Sequence, residues 1–322
     1  MDIQQIKRFI AVAELGSFNR AADLLAVSQP SLTRSIQLLE AMLDARLFER
    51  GPRGVELTLI GEELLPHARL ILHERDRAIS TVSTLSRGAR ETVVIGTDAP
   101  FAMRRLPDAL TRMSHLHPLT QIVVRDGNTR DMLNLLREGR LNLVLGAKAP
   151  NLDLDELAFE QLTLETASVM MRVGHPLLGQ NVPTLIDLVD AQWIVPDHPV
   201  LAEGWSQMFL GHDLPVPRIA LRTSSLQLAK GCLLSGDYIS LGDNSSYADE
   251  IEAGRLLAVD VGLSRYERPA GLFRRDGGKL TQGERALIRI LHQVCSDDPG
   301  YLPPAGSTAA ASSASRASKA AS

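Results

Sequence analysis

From Thr92-Val93-Val94-Ile95 onward, apolar runs of strand length alternate with stretches of helical periodicity: Gln121 to Val124, Leu141 to Leu145, Val169 to Met171, Trp193 to Val195 and Tyr238 to Leu241. Short continuous apolar runs are buried on both faces only when helices cover both sides of a sheet. The alternation therefore predicts an α/β unit with a substantially parallel sheet. Residues 1 to about 58 carry short amphipathic patterns instead, and 59–90 read as one long helix. The chain closes on Pro, Gly, Ala and Ser, with too little bulky apolar surface to offset chain entropy. The expected division is 1–58, 59–90, 91–297, and a disordered tail over 298–322.

The 322 residues have room for about two domains. With 44% hydrophobic and 22% charged residues, wholesale disorder is excluded. Lys and Arg number 34 against 38 Asp and Glu, a net charge of -4, so any surface for a polyanion must be local. Cys232 and Cys295 have no CxxC spacing, which fits core packing in a reducing compartment. No apolar run approaches the roughly 20 residues of a spanning helix. The start Met1-Asp2-Ile3 lacks a signal peptide's basic region, so a cytoplasmic protein with no membrane partner is expected.

In the amino-terminal stretch, Ile3, Ile6, Phe9, Ile10 and Ala13 form one helical stripe that Gly16 can terminate. Ser17 can cap a short second helix whose Phe18, Ala21, Ala22 and Leu25 share a face. Ser28-Gln29-Pro30 offers an N-cap with proline in the first turn of a third. Leu32, Ile36, Leu39 and Leu43 are its apolar side, and Pro30, Thr33, Arg34 and Gln37 line the other. A helix held by its leucines would then present hydroxyl, guanidinium and amide groups outward, as a major groove requires. Leu47-Phe48-Glu49-Arg50, the turn Gly51-Pro52-Arg53-Gly54 and Val55-Glu56-Leu57 read as a two-stranded wing. Arg53 at its tip could enter a minor groove or meet a phosphate. The competing reading makes Arg34, Arg50 and Arg53 ordinary solvated charges.

These residues also resemble a family. Ala13-Glu14-Leu15-Gly16-Ser17-Phe18, Ala21-Ala22, Leu24-Leu25, Ser28-Gln29-Pro30-Ser31-Leu32, Ile36, Leu39-Glu40, Leu47-Phe48-Glu49-Arg50 and Leu57-Thr58-Leu59-Ile60-Gly61 look like the amino-terminal signature of LysR-type transcriptional regulators. The match runs nearly without gaps over about the first 65 residues, and the looser architecture beyond also resembles the family. Asp44 stands where the family usually has glycine, and Thr33 where serine is usual. The resemblance implies that Gln29, Ser31, Thr33, Arg34 and Gln37 belong to a recognition helix and Arg53 to a wing. Gln29 and Arg34 are then expected at base edges, and Ser31, Thr33 and Arg50 at phosphates. The acidic Asp2, Glu14, Asp23, Glu40, Glu49 and Glu56 offset the basic charge, so one copy should bind double-stranded promoter DNA modestly.

In the long helix, Leu64, Ala68, Ile71, Arg75, Ala78, Val82 and Leu85 form a heptad seam interrupted once by Arg75. Either another copy covers it or the chain's own domain does. Thr58 is a plausible N-cap, and Pro66 should kink the first part. Similarity to the family favours a homodimer through this helix, often doubled to a homotetramer, on an inverted-repeat site.

The resemblance further implies a carboxyl-terminal domain like periplasmic binding proteins, two α/β lobes with a small-molecule effector between them. The sequence permits lobes at 91–163 plus 268–297 and at 164–267, with Pro269 to Arg275 as the returning strand. Ligands of open α/β sheets sit beyond the carboxyl ends of strands, against helix amino termini. That selects Thr97, Asp98, Ala99, Asn128 and Thr129 from lobe one, and Pro196, Asp197, Ser224 and Ser225 from lobe two. Asp98, Thr129 and Ser225 are equally good N-caps. If Asp98 faces the cleft, a carboxylate ligand is repelled unless Arg104 or a helix terminus compensates. Pro217 to Ser225 with Pro269-Ala270-Gly271-Leu272 look like a branch responding to sugars or aromatic acids, so the effector is expected to be an organic acid or a sugar.

No GxSxG, P-loop, GxGxxG or HExxH is present, so no enzyme activity, cofactor or metal is expected. His115 and His117 would point to different sides of a helix. Two other readings stay open: a metabolic enzyme or small-molecule-binding protein with a vestigial DNA-binding segment, and a coiled-coil adaptor.

Overall fold

The structure is a computed structural model that describes residues 1–51, 54–87, 90–149, 152–179, 182–197, 199–261, 266–298 and 301. Pro52 and Arg53 of the wing, and residues 302–322 of the expected tail, lie outside the described residues.

Helix α1 (Ile3–Leu15) opens on a capping box in which Asp2 accepts from the Gln5 N–H at 2.8 Å and Gln5 accepts from that of Asp2 at 2.9 Å. Gly16 ends it in the left-handed conformation, φ 60°. Ser17 caps α2 (Phe18–Leu24) and Ser28 caps α3 (Gln29–Leu43), with Pro30 in its first turn. Asp44 leaves α3 at φ 50°, the left-handed exit for which glycine is the cheaper residue. Leu32, Ile36 and Leu39 of α3 pack into a common core with Phe9, Val12 and Ala21. Strands β1 (Phe48–Gly51) and β2 (Gly54–Leu57) pair antiparallel from Phe48 opposite Leu57 to Gly51 opposite Gly54. Phe48 inserts between the rings of Phe9 and Phe18, with centroids 5.4 and 5.9 Å away.

Helix α4 (Leu59–Arg87) starts where Thr58 Oγ1 accepts from the Gly61 N–H at 3.1 Å, and contains Pro66. The seam divides. Leu64 and Ala68, with Leu65 and Leu72, pack on the amino-terminal core. Ile71, Ile79 and Val82 remain 37%, 52% and 65% exposed.

The remaining chain builds one nine-stranded sheet. In order it contains β3 (Glu91–Thr97), α5 (Ala99–Arg104), α6 (Leu106–Leu116), β4 (Thr120–Asp126), α7 (Thr129–Arg137), β5 (Leu143–Ala147) and β6 (Leu157–Arg172). Then follow β7 (Gln192–Pro196), α8 (Pro199–Leu210), β8 (Ile219–Thr223), α9 (Leu226–Ser235), β9 (Tyr238–Asp243), α10 (Ala248–Glu252), β10 (Leu256–Val259), β11 (Tyr266–Arg275) and α11 (Gln282–Cys295). The sheet order is β4-β3-β5-β11-β6-β9-β7-β8, with β10 also on β6.

Within each lobe the pairing is parallel, β4-β3-β5 in one and β9-β7-β8 in the other. The sheet as a whole is mixed rather than substantially parallel. A chain that leaves lobe one and later returns to it must do so in opposite directions, so β11 lies antiparallel to β5 and β6, and β6 antiparallel to β9 and β10. β6 extends far upstream of Val169, through a first part in which most positions are half-buried. Polar residues there hide the strand in a search for apolar runs. Lobe one packs β3, β5 and β11 against α6 and α11. Lobe two packs around Trp193, Trp205 and Phe209, whose rings meet edge-on at 5.5 to 5.7 Å.

Cys295 is buried in lobe one, its thiol pushed up to about 12 by burial, and half-buried Cys232 packs in lobe two. Ordered contacts continue past position 298: the Asp298 carboxylate pairs with Arg105, and the Tyr301 hydroxyl lies 3.1 Å from His292 Nδ1. Among the described residues no helix is long and apolar enough to cross a membrane.

Candidate DNA-reading surface and interlobe site

Leu32, Ile36 and Leu39 of α3 are sealed in the core, which turns the other side outward, while Leu43, expected on the same face, is exposed in the last turn beside the Asp44 exit. Gln29, Pro30, Ser31, Arg34 and Gln37 are all exposed. Thr33 is half-buried, and its hydroxyl accepts from Gln29 Nε2 at 2.9 Å, so the amide and hydroxyl are held together one turn apart. The wing is fixed beside α1 by a bond from the Val55 N–H to the Gly16 carbonyl at 3.1 Å. A Cβ on Gly54 would lie 2.9 Å from that same carbonyl oxygen, and Gly54 holds φ at 130°. Arg50 stands on β1 opposite Val55, and Arg53 falls outside the described residues.

Between the lobes, Asp98 ends β3 and caps α5, accepting from the Phe101 N–H at 3.4 Å and the Ala147 N–H at 2.9 Å. Thr129 Oγ1 donates at 3.4 Å to Oδ2, the oxygen that also accepts from Ala147. The bland capping role and the interlobe position therefore belong to the same residue. A Cβ on Gly146 would fall 2.5 Å from Thr129 Oγ1 and 2.8 Å from Asp98 Oδ2, so this close approach requires glycine. Thr97 is fully buried beneath, and Asn128 caps α7 through the Asp131 N–H at 2.9 Å.

Sequence reasoning did not single out the residues that meet Asp98. Glu165 on β6 is register partner to Arg268 on β11 and is held by it at 2.8 and 2.9 Å. Asp243, at the end of β9, accepts from the N–H groups of Ser245 and Ser246 at 2.9 and 3.3 Å. Burial raises the carboxyl groups of Asp98 and Asp243, although the Arg268 charge opposes it in both. Burial, then the Asp98 charge, pushes Glu165 up to about 8. Arg104 does not compensate Asp98; its guanidinium lies 3.3 Å from Glu252 on α10, spanning the lobes.

The lobe-two candidates lie elsewhere in the sheet. Asp197 donates its N–H to the Thr223 carbonyl at 3.0 Å, and Ser225 caps α9 through the Leu228 N–H at 3.2 Å. With Pro196 and Ser224 they occupy the ends of β7 and β8, and β9 stands between them and the crossing strands.

Helix α4 is bound to the back of lobe one. Arg69 pairs with Glu138 at 2.9 Å, Arg77 with the buried Glu284 at 3.0 Å, and Arg275 with Glu74 at 3.1 Å. Arg275 also donates to the Leu136 and Leu141 carbonyls at 2.9 and 3.1 Å. His73 packs on Gly139, and burial beside Arg275 lowers its pKa.

A winged helix-turn-helix joined by a long helix to a two-lobed α/β domain defines a DNA-binding regulator that senses a small molecule. Comparison with known proteins agrees. Residues 3–62 match the profile of the bacterial regulatory helix-turn-helix protein, lysR family, and residues 86–296 match the LysR substrate binding domain. The SDS degradation transcriptional activation protein of Pseudomonas sp. is 31% identical over 307 residues, 94% of this chain and 98% of that relative. Full-length BenM shares 25% identity at TM-score 0.55, covering 95% of this chain and all of that one. Full-length CbnR complexed with its target DNA shares the fold at TM-score 0.63 and 23% identity, covering 91% of this chain and 100% of that one. The chain belongs to the LysR family of transcriptional regulators, with a helix-turn-helix DNA-binding domain and an effector-binding domain. Nothing in these likenesses supports an enzyme carrying a vestigial DNA-binding segment.

Proposed function

We propose that α3 enters the major groove of promoter DNA, with Gln29 and Arg34 at base edges and Ser31 and Thr33 at phosphates, while Arg50 and Arg53 serve the wing. The observation that carries this reading is the exposure of Gln29, Ser31, Arg34 and Gln37 on a helix whose Leu32, Ile36 and Leu39 are buried in the core. Two copies joined along the exposed part of α4, around Ile71, Ile79 and Val82, place two such helices on an inverted repeat, as a homodimer or homotetramer. A small molecule binds where Thr97, Asp98, Ala99, Asn128 and Thr129 meet the crossing strands, with Pro196, Asp197, Ser224 and Ser225 at the outer end of lobe two. Its binding shifts the population of lobe arrangements and so the contacts on DNA. The protein acts in the cytoplasm and catalyses no reaction.

The test is DNA binding by the Gln29→Ala/Arg34→Ala double variant. A lost bidentate contact removes about 1–3 kcal/mol of base discrimination. Specific binding should collapse toward nonspecific binding while the folded mass and ligand binding stay unchanged. Intact specificity would contradict the assignment.

A further inference from the structure

We propose that the interlobe site takes a compact cationic ligand, an amine or guanidinium on a small organic molecule, through Glu165, Asp243 and Asn244. This rests on the effector reading above and names its ligand class.

Acceptors outnumber donors at this site. Asp98, Glu165 and Asp243 bring three carboxyl groups from lobe one, a crossing strand and lobe two, and Arg268, which pairs with Glu165 at 2.8 Å, is the one guanidinium whose charge acts on all three. Arg105 is turned to Asp298 and to the Thr163 hydroxyl at 3.1 Å. The Glu165 side chain is 1% exposed, and its Oε1 has no hydrogen-bonding group. Asp243 Oδ2 and Asn244 Oδ1 are also buried without a donor. A buried acceptor left without a donor is costly, and an uncompensated buried charge more so. An ammonium or guanidinium group supplies donors in several directions, and its positive charge takes the place of the proton that burial keeps on Glu165. Arg105 Nη1, a buried donor with no acceptor, would meet a carbonyl or hydroxyl on the same molecule. A ligand of net negative charge would add a like charge to this set. Arg104 and Glu252, side chains 50% and 68% exposed, bridge the lobes at the surface, and an ion pair of this kind holds them together weakly.

Asp243→Asn is the discriminating variant, because its Oδ1 still accepts from Ser245 and Ser246 while its Oδ2 becomes a donor. The full-length protein would be titrated with agmatine and butylamine as cations, butyrate and benzoate as anions, and galactose as a neutral polyol. A cation at about a hundredfold excess over Kd should raise the melting temperature by about 5 °C. Asp243→Asn and Glu165→Gln should each lose about tenfold or more in cation affinity, and unliganded Asp243→Asn should melt no lower than wild type. Binding of anions or galactose in place of cations, silence of both cations, or unchanged cation affinity in Asp243→Asn would each overturn the ligand class. A cation that binds through Asp243 yet leaves the DNA footprint unchanged would uphold the class and remove the effector reading instead.

Discussion

Glu165 and Arg268 face each other as register partners on the two strands that join the lobes, their side chains meeting at 2.8 Å. The pair leaves a carboxyl group that burial has pushed up to about 8. The folded state therefore binds this proton more tightly than the unfolded state, whose value lies near 4.5. The resulting stability is complete below the unfolded value and is lost as pH rises through about 8. His73 has the opposite sign, since its pKa is lowered in the fold, and its effect ends near 6.5. Between pH 6.5 and 8 the melting temperature should fall as pH rises, and Glu165→Gln should flatten that slope. Equal slopes in the two proteins would refute the assignment.

Phe9 lies under the recognition helix with its ring 5.4 Å from Phe48 of the wing. Phe9→Ala removes a fully buried aromatic and should cost about 3–5 kcal/mol of amino-terminal domain stability. Calorimetry should show one early transition with DNA binding lost, while the lobe transition stays in place.

Gly54 combines φ 130° with a contact that leaves no room for a Cβ. Gly54→Ala should strain the wing by about 1–3 kcal/mol. Operator affinity should fall several-fold with the oligomeric mass unchanged; wild-type affinity would mean the wing adjusts freely.

Ile71 sits at the upper end of the exposed stretch of α4. Ile71→Asp places a charge where a second copy would bury an aliphatic side chain, and light scattering should report a smaller species. An unchanged mass would exclude this seam as the dimer contact.

The amino-terminal domain was legible residue by residue, because helix caps, a proline in a first turn and a leucine face are local signals. Ser17, Ser28, Gly16 and Asp44 stand where the sequence places them. Most strands of the parallel layers were legible too, as short apolar runs; β8, Ile-Ala-Leu-Arg-Thr, alternates half-buried and exposed positions and is not such a run. β10 and most of β6 were not. A crossing strand is flanked by strands along its length and by helices along only part of it, so its polar positions mask the apolar rhythm. The interlobe group was missed for a related reason: Glu165, Asp243 and Arg268 are distant in sequence and are assembled by strand register alone. Asp98 could be found because it also performs a local task, capping α5. The seam on α4 looked uniform in the sequence, and which part meets the chain's own core depends on tertiary packing.

β11 carries Arg268 near one end and Arg275 at the other, seven residues apart, about 23 Å of extended chain. The first grips Glu165 between the lobes and the second grips Glu74 on α4. One ribbon, with a single register shift between Ala270 and Gly271, thus has a handle at each end, so the interlobe carboxylates and the helix that leads to the DNA-binding domain are tied to a single piece of backbone.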